Sequence, residues 1–472
     1  MKVRTRYAPS PTGFMHIGNL RTAIFEYLLA RHYDGDFILR IEDTDQNREV
    51  EGAIDFIYNT LELCDFKIDE GPNNPGNYGP YIQSERKDIY KKYALELVEK
   101  GKAYYCFCTE EDIKKDREEC EKHGRAYSYD GKCSRLLKEE IQEKLDKGVP
   151  YVIRQKMPKY GVTLVEDLIY GKIKIDNSLL EDQILLKSDG YPTYNFANVI
   201  DDHLMEITHV VRGKEYLDQS AKYNLLYEAF GWEKPTYIHV AMVLGEDGNK
   251  LSKRNGDASF MDLYDEGYLP SAIVNYLAFL GWSPLSNQEI FTMDELIKEF
   301  NPERISKSSS QYDVMKLRWI NSHYIKKLDR EELYNLTFKH LNEAYDLSNK
   351  STEWIKDLVC LYQNELKYGK EIVELTKLFF SEYSVDEEAK EFMNNDGVDN
   401  TIKVFYDEVK DIEWTKENIS NAINNTKEKA GVKGKMLYMP IRIKCSGVMH
   451  GPELDMTLYL LGKDTVINNL MK

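Results

Sequence analysis

The segment Ala8-Pro-Ser-Pro-Thr-Gly-Phe-Met-His-Ile-Gly-Asn19 holds residue types suited to a nucleotide. It follows an alternation of Val3, Thr5 and Tyr7 that predicts a half-buried strand. It leads into Leu20, Ala23, Ile24, Tyr27 and Leu28, which fall at helical spacing. Backbone N–H groups at the start of such a helix can receive phosphate. His16 can donate to a phosphate oxygen, and Gly18 lets a flat base lie close to the backbone. A His-Ile-Gly triplet alone is more often an ordinary polar loop. A second candidate is Lys250-Leu-Ser-Lys-Arg254, flanked by Gly245, Gly248 and Gly256. Lys250 and Lys253 on a glycine-flanked loop can bring charge to a triphosphate when the loop closes. By itself the same string reads as a solvated basic turn. No G-x-x-x-x-G-K-[ST] phosphate loop and no dinucleotide fingerprint is present.

Three further groups could do chemistry. Arg6 and Arg212 each end an expected strand, and strand ends of a doubly wound sheet converge on a ligand crevice. A guanidinium can grip a carboxylate through two parallel hydrogen bonds, although a surface ion pair is the commoner use of arginine. Cys106, Cys108 and Cys133 have a spacing suited to zinc, with Cys120 and His123 as further donors and free thiols as the other reading. Cys64, Cys360 and Cys445 have no partner pattern and read as packing residues. Lys427, Lys429, Lys433, Lys435, Arg442 and Lys444 lie close together with only Glu428 opposing them. That is the strongest local basic patch, which as a bland alternative is a solvated helix end.

The elements that must carry these residues can be read in outline. After the first strand and helix, Asp34-Gly35 turns the chain and Phe37 to Ile41 predicts a second strand, giving a βαβ unit with a parallel sheet. Residues 86–189 look like an insertion, with a charged helical stretch from Glu110 to Lys122 and a strand-like segment from Tyr151 to Arg154. Sheet character returns at Asp182 to Lys187, Glu206 to Val211 and Thr236 to Leu244. Beyond about residue 285 the pattern is helical and charged, with a polar break from Asn394 to Asn400. The 472 residues exceed one compact core and predict several domains. With 42% hydrophobic and 30% charged residues the chain reads as folded and soluble. A net charge of −17 excludes a simple basic RNA coat, but local basic patches can still meet phosphate. Met-Lys-Val-Arg-Thr-Arg at the start predicts no signal peptide, and Ala272 to Trp282 is too short and broken to span a bilayer. Seven cysteines without a disulfide pattern fit a reducing cytoplasm.

The two basic-and-glycine segments, in this order, resemble the paired signatures of the class I aminoacyl-tRNA synthetases. Longer strings narrow the resemblance to bacterial glutamyl-tRNA synthetases and extend it over nearly the whole chain. They are Thr5-Arg-Tyr-Ala-Pro-Ser-Pro-Thr-Gly13, Arg40-Ile-Glu-Asp-Thr-Asp45, Ser188-Asp-Gly-Tyr-Pro-Thr-Tyr-Asn195, Val199-Ile-Asp-Asp-His203, Ile207-Thr-His-Val-Val-Arg212 and the stretch Asp265 to Trp282. Two positions depart from the pattern: Asn19 stands where many synthetases have a second histidine, and Lys214 where family members usually carry an acid.

The resemblance implies a Rossmann-like, doubly wound catalytic domain over 1–85 and 190–235, interrupted by an acceptor-binding domain at 86–189. A stem-contact region at 236–328 would carry the Lys250–Arg254 loop, and an all-α anticodon-binding region would occupy 329–472, subdivided near 390. It implies ATP-dependent activation of L-glutamate and transfer to the 2′-hydroxyl of the terminal adenosine of tRNA(Glu), with tRNA(Gln) left open as a second partner. ATP and Mg2+ would be met by Ala8, Pro9, Ser10, His16, Gly18, Asn19 and Lys253, with Lys250 beside them. Glutamate would be met by Arg6, Ser10, Glu42, Tyr194, Asn198 and Arg212. The Tyr-x-x-x-Cys spacing is similar to relatives in which tyrosine completes a structural zinc site. With Arg135 where some relatives carry histidine, this favours Tyr129 as fourth ligand beside Cys106, Cys108 and Cys133. Lys427, Lys433, Lys435 and Arg442 become candidates for tRNA contact, and a monomer is the family expectation. A glutaminyl-tRNA synthetase is the nearest alternative, opposed by Arg212 and the helical C-terminal half. A shorter tRNA-modifying relative would lack that half, and a non-catalytic paralogue would not need His16, Lys250 and Lys253.

Overall fold

The computed structural model describes residues 2–12, 15–45, 50–124, 126–249, 251, 259–385 and 387–472. The chain divides into two compact units, one of Met1–Asp262 with Ile273–Asp313, the other of Leu263–Ala272 with Val314–Lys472.

The first unit starts with β1 (Arg4–Tyr7), α1 (Ile17–His32) and β2 (Asp36–Leu39). β1 and β2 pair in parallel, with Thr5 opposite Phe37 and Tyr7 opposite Leu39, so the expected βαβ unit forms. The helix starts at Ile17, three residues ahead of its first periodic apolar residue, Leu20, because His16 caps it: the Nδ1 atom of His16 accepts the Gly18 N–H at 3.2 Å. β3 (Ala103–Cys106), β4 (Val152–Gln155), β5 (Val162–Asp167), β6 (Gly171–Asp176) and β7 (Ile184–Leu186) come from the insertion. β8 (His209–Gly213), β9 (Thr236–Val240), β10 (Val243–Leu244) and β11 (Ser310–Gln311) follow. β3, β4 and β7 make a separate antiparallel sheet. β8, β9 and β5 run parallel in the order β6-β5-β9-β8, with β6 antiparallel at the edge. The Thr208 N–H donates to the Arg4 carbonyl at 3.0 Å, which sets β1 beside the start of β8.

One expectation about β1 fails in an informative way. Alternation predicts one buried face, yet Arg4, Thr5, Arg6 and Tyr7 are all buried. β2 and β8 flank its edges, and helices cover its faces as in other parallel sheets: Thr5 donates to the Glu26 carbonyl of α1, and Arg6 to Asp202 of the helix Tyr194–Leu204. The polar residues of the pattern stay inside because acids meet them: Arg4 pairs with Asp36 and Glu70, and Arg6 with Glu26 and Asp202. The charged stretch Glu110–Lys122 forms a helix with those bounds, set by a capping box between Thr109 and Asp112.

The second unit is built from helices, among them Arg330–Ala344, Thr352–Tyr362, Val398–Val409, Lys416–Ala430, Lys435–Ser446 and Leu454–Leu461. Asp329 caps the first of these through the Glu331 and Glu332 N–H groups, and Ser351 caps the second. One core gathers Leu333, Leu341, Leu358 and Leu366, another Phe405, Ile419, Leu437 and Leu458. The polar break expected from Asn394 to Asn400 falls between the helices Glu387–Met393 and Val398–Val409, where Gly397 takes a left-handed φ of 87°. No helix of the described residues is long and apolar enough to cross a membrane.

Candidate active site

A cleft of about 380 Å3 opens at the carboxyl ends of β1 and β8, against the start of α1. Ala8, Pro9, Ser10, His16, Gly18 and Asn19 line one side, as the sequence predicts. Arg6, Glu26, Glu42, Tyr194, Arg212 and Tyr216 line the other. With Nδ1 of His16 accepting the Gly18 N–H, the ring proton of the neutral side chain sits on Nε2. Lys250 and Lys253 lie outside the described residues; Leu251 between them lines the cleft. Arg21 was not anticipated from the sequence. It is buried and donates to the Leu280 carbonyl at 3.0 Å and the Ala241 carbonyl at 2.6 Å, which ties α1 to the chain leaving β9.

Beneath the cleft runs a connected set of buried charges. Arg6 pairs with Glu26 at 2.9 Å and with Asp202 at 3.0 Å. Asp202 also takes Arg40 at 2.8 Å, Arg40 reaches Glu42 at 3.1 Å, and Asp201 takes Arg86 at 2.7 Å. Burial works against the Asp202 charge, but Arg6 and Arg40 hold its carboxyl below the usual carboxylate range. Glu42 goes the other way: burial pushes it up to about 7, against the pull of Arg40 and Arg6. Its Oε2 atom is buried and bonds to no protein group among the described residues. Sequence reasoning named Arg6 and Glu42 and missed their partners. The available signal was Arg40-Ile-Glu42 inside an apolar strand pattern and Asp201-Asp202 on an apolar helix face.

Arg212 is the exception in this set. It is 6% exposed and has no ion pair among the described residues. Its Nε and Nη1 atoms are buried without a protein partner. The guanidinium sits among aromatic rings, 4.5 Å from Tyr223, 5.6 Å from Tyr216 and 5.7 Å from Tyr237. Rings attract a cation through their faces but do not neutralise it. A buried guanidinium lined by π-faces and open to a cleft is a receptor for an anion. Asn198 stays off the cleft and donates to the Tyr194 carbonyl of its own helix at 2.9 Å. Lys214 does not enter the cleft either; it lies over the Tyr170 ring, 4.9 Å from its centre, while Glu215 faces inward.

In the insertion, the Cys106, Cys108 and Cys133 sulfurs lie within 4.8 Å of one another. The Tyr129 hydroxyl is 3.2 Å from Cys106 Sγ and 3.4 Å from Cys108 Sγ, so these four donors come together. Cys120 and His123 do not join them. Hydrogen bonding from Cys133 above all, and from Tyr129, lowers the Cys106 thiol against the effect of burial.

Residues 2–319 match the family model for class I tRNA synthetases (E and Q), catalytic domain, and residues 332–472 match an anticodon binding domain. The chain belongs to the class I tRNA synthetases of the E and Q family. A "Glutamate--tRNA ligase" of Clostridium novyi is 50% identical over 456 residues, covering 96% of this chain and 93% of that protein. A second, from Clostridium botulinum (strain Eklund 17B / Type B), is 48% identical over 481 residues, covering 100% of this chain and 98% of its own. The crystal structure of a glutamate tRNA ligase from Elizabethkingia meningosepticum, in complex with its amino acid, superposes with a TM-score of 0.90 at 36% identity, covering 100% of this chain and 99% of that one.

Within this family the second unit is the anticodon-binding one, and the basic patch divides there. Lys427, Lys433 and Lys435 are exposed, whereas Lys429 is tied to Glu408. Arg442 does not share that surface. It is buried, donates to the Pro452 carbonyl, and burial holds its pKa down.

The contrast between the two cleft arginines has a measurable consequence. Arg6→Met leaves Glu26 and part of Asp202 unpaired and should cost roughly 3–5 kcal/mol. Arg212→Met removes a buried guanidinium whose Nε and Nη1 atoms bond to no protein group among the described residues, so the melting temperature should hold or rise. Thermal denaturation of both variants checks this, and a large fall for Arg212→Met would mean that the guanidinium supports the fold.

Proposed function

We propose that the chain is a glutamate–tRNA ligase, which activates L-glutamate with ATP and moves it to the terminal adenosine of tRNA(Glu), releasing AMP and pyrophosphate. The observation that carries the reading is Arg212, a buried and unpaired guanidinium at the bottom of the cleft. The side-chain carboxylate of glutamate completes it with two parallel hydrogen bonds. Glutamine brings no charge and leaves the cation unsatisfied. Glu42 Oε2, with Tyr194 and Ser10 at the same cleft, receives the ammonium group. Arg6 is already bonded to two acids and steadies the pocket, while Asn198 acts through Tyr194.

The α-carboxylate that attacks the α-phosphorus is ionised near neutral pH, so no general base is needed. Placement and charge neutralisation are enough. His16 presents its Nε2 proton, and Gly18 and Asn19 with Ala8 and Pro9 flank the nucleotide. Mg2+ arrives with the triphosphate and offsets its charge. Lys250 and Lys253 supply the remaining positive charge in this reading. Exposed Lys427, Lys433 and Lys435 meet tRNA phosphate. Pyrophosphate exchange with glutamate in the presence of tRNA, then charging of purified tRNA(Glu) and tRNA(Gln), tests the whole reading; failure to charge either would overturn it.

The donor set of the insertion suits a structural zinc: three sulfurs and a phenol converge, and tetrahedral ligation at the usual Zn–S distance spaces sulfurs by roughly 3.8 Å. Cys108 and Cys133 stand 3.5 Å apart. Cys106, Cys108, Cys133 and Tyr129 would hold the ion and leave no open position for catalysis. Metal analysis of purified protein should find about one zinc per chain, and chelation should loosen the insertion as read by proteolysis. Protein that holds no zinc and takes none up on titration would refute the site.

Arg212→Ala should raise the glutamate KM by roughly 10²–10³ with a much smaller effect on ATP, and should narrow the preference for glutamate over glutamine. Steady-state kinetics with both amino acids decides it. Glu42 sets an acid limit. Its ionised form holds the ammonium, and that form is lost as pH falls below about 7. The glutamate KM should therefore climb by about tenfold per pH unit on the acid side, and Glu42→Gln should lose that climb.

A further inference from the structure

The mechanism above uses Arg212 and Glu42 but leaves the other buried carboxylate of the cleft lining, Glu26, without a task; Glu215 in the same lining is exposed. Glu26 projects from α1, is 1% exposed and lines the cleft. One carboxylate oxygen, Oε1, accepts from Arg6 Nη1 at 2.9 Å. The other, Oε2, is buried and bonds to no protein group among the described residues. A carboxyl group with one oxygen engaged and one open to a ligand pocket either accepts from that ligand or, when protonated, donates to it.

Charge decides between the two. The linked network holds three guanidinium groups, Arg6, Arg40 and Arg86, and four carboxylates, Glu26, Glu42, Asp201 and Asp202. Arg212 adds a fourth positive charge beside it. Fully ionised, the set is balanced before substrate enters. Glutamate brings a net negative charge, and an unbalanced charge at this depth is costly. A proton on one carboxylate restores the balance. Both Asp201 oxygens are taken by Arg86, Gln83 and the Tyr90 hydroxyl, and Asp202 accepts two guanidinium groups that hold its carboxyl below the usual range. Glu42 must stay ionised to meet the ammonium. That leaves Glu26.

We infer that Glu26 is a specificity-determining residue: it takes up a proton when glutamate binds and donates its Oε2 hydrogen to the side-chain carboxylate held by Arg212. This rests on the glutamate reading of the cleft and deepens it. Glutamine is neutral overall and leaves the set balanced with Glu26 ionised, so the proton distinguishes the two amino acids. The groups that face Glu26 are Arg6 and Tyr7 on β1, Arg40 just beyond β2, Asp202 on the helix Tyr194–Leu204 and Arg212 on β8. Burial holds its carboxyl well above the usual range, against Arg6 and with Asp202 adding to the rise, so the proton is within reach near neutral pH.

The glutamate KM of the wild-type protein should rise on the alkaline side by about tenfold per pH unit once Glu26 is ionised in the free enzyme. Glu26→Gln carries a fixed donor and should lose that rise, keeping only the limb set by the titration of the amino acid's own ammonium. The glutamate-over-glutamine ratio of the wild type should shrink as pH rises, and that of Glu26→Gln should not. Calorimetric titration of glutamate in two buffers of different ionisation heat needs no variant and should show proton uptake approaching one per site on the alkaline side. Identical alkaline limbs in the two proteins, or no uptake across the range in which the wild-type KM rises, would overturn the assignment. A wild type that charges no tRNA with glutamate would overturn the underlying reading instead, so the two failures are distinct.

Discussion

The pairing of Arg6 with Glu26 and Asp202 is the interaction on which the rest of the first unit turns. It joins β1 to the next element, α1, and to the helix Tyr194–Leu204, which lies far from both in sequence. Through Asp202 it draws in Arg40 of the chain leaving β2, and through Val211, whose carbonyl accepts from Arg6, it touches β8. Ion pairs buried to this degree add little net stability against well-packed apolar groups, because desolvation offsets the attraction. What they add is register. Each guanidinium fork accepts one arrangement of its acids, so the strand ends that bound the cleft are fixed before any ligand arrives.

The division of labour in the cleft follows from which charges that network satisfies. Arg6 and Arg212 sit on neighbouring strands and look equivalent as residues at strand ends. One is saturated by acids and the other is set among tyrosine rings. Only the second has donors left to spend on a ligand. In the same way Asp202 takes two guanidinium groups on its Oδ1 atom, whereas Glu42 Oε2 meets no protein group among the described residues.

Much of this was legible in the sequence, for identifiable reasons. Local signals gave the βαβ start, the charged helix Glu110–Lys122 and the cysteine spacing, because each depends on residues near one another in the chain. The Tyr129 side chain joins Cys106 and Cys108 as the Tyr-x-x-x-Cys comparison implied. What escaped was the pairing of distant polar residues. Glu26 reads as one more polar position on an amphipathic helix, and nothing within α1 reveals that β1 presents Arg6 to it. Arg442 escaped for the converse reason: a run of basic residues looks uniform, yet the helix Lys435–Ser446 turns that one inward. The Asn198 amide gives its Nδ2 hydrogen to its own helix and keeps Oδ1 buried without a protein partner among the described residues.

The tyrosine-lined setting of Arg212 bears on how the protein meets its solvent. A cation lining the cleft, set among π-faces, attracts anionic solutes without regard to their identity. Small anions such as chloride or acetate can meet the same guanidinium. Any ligand that uses this guanidinium therefore competes with the anion background of the medium.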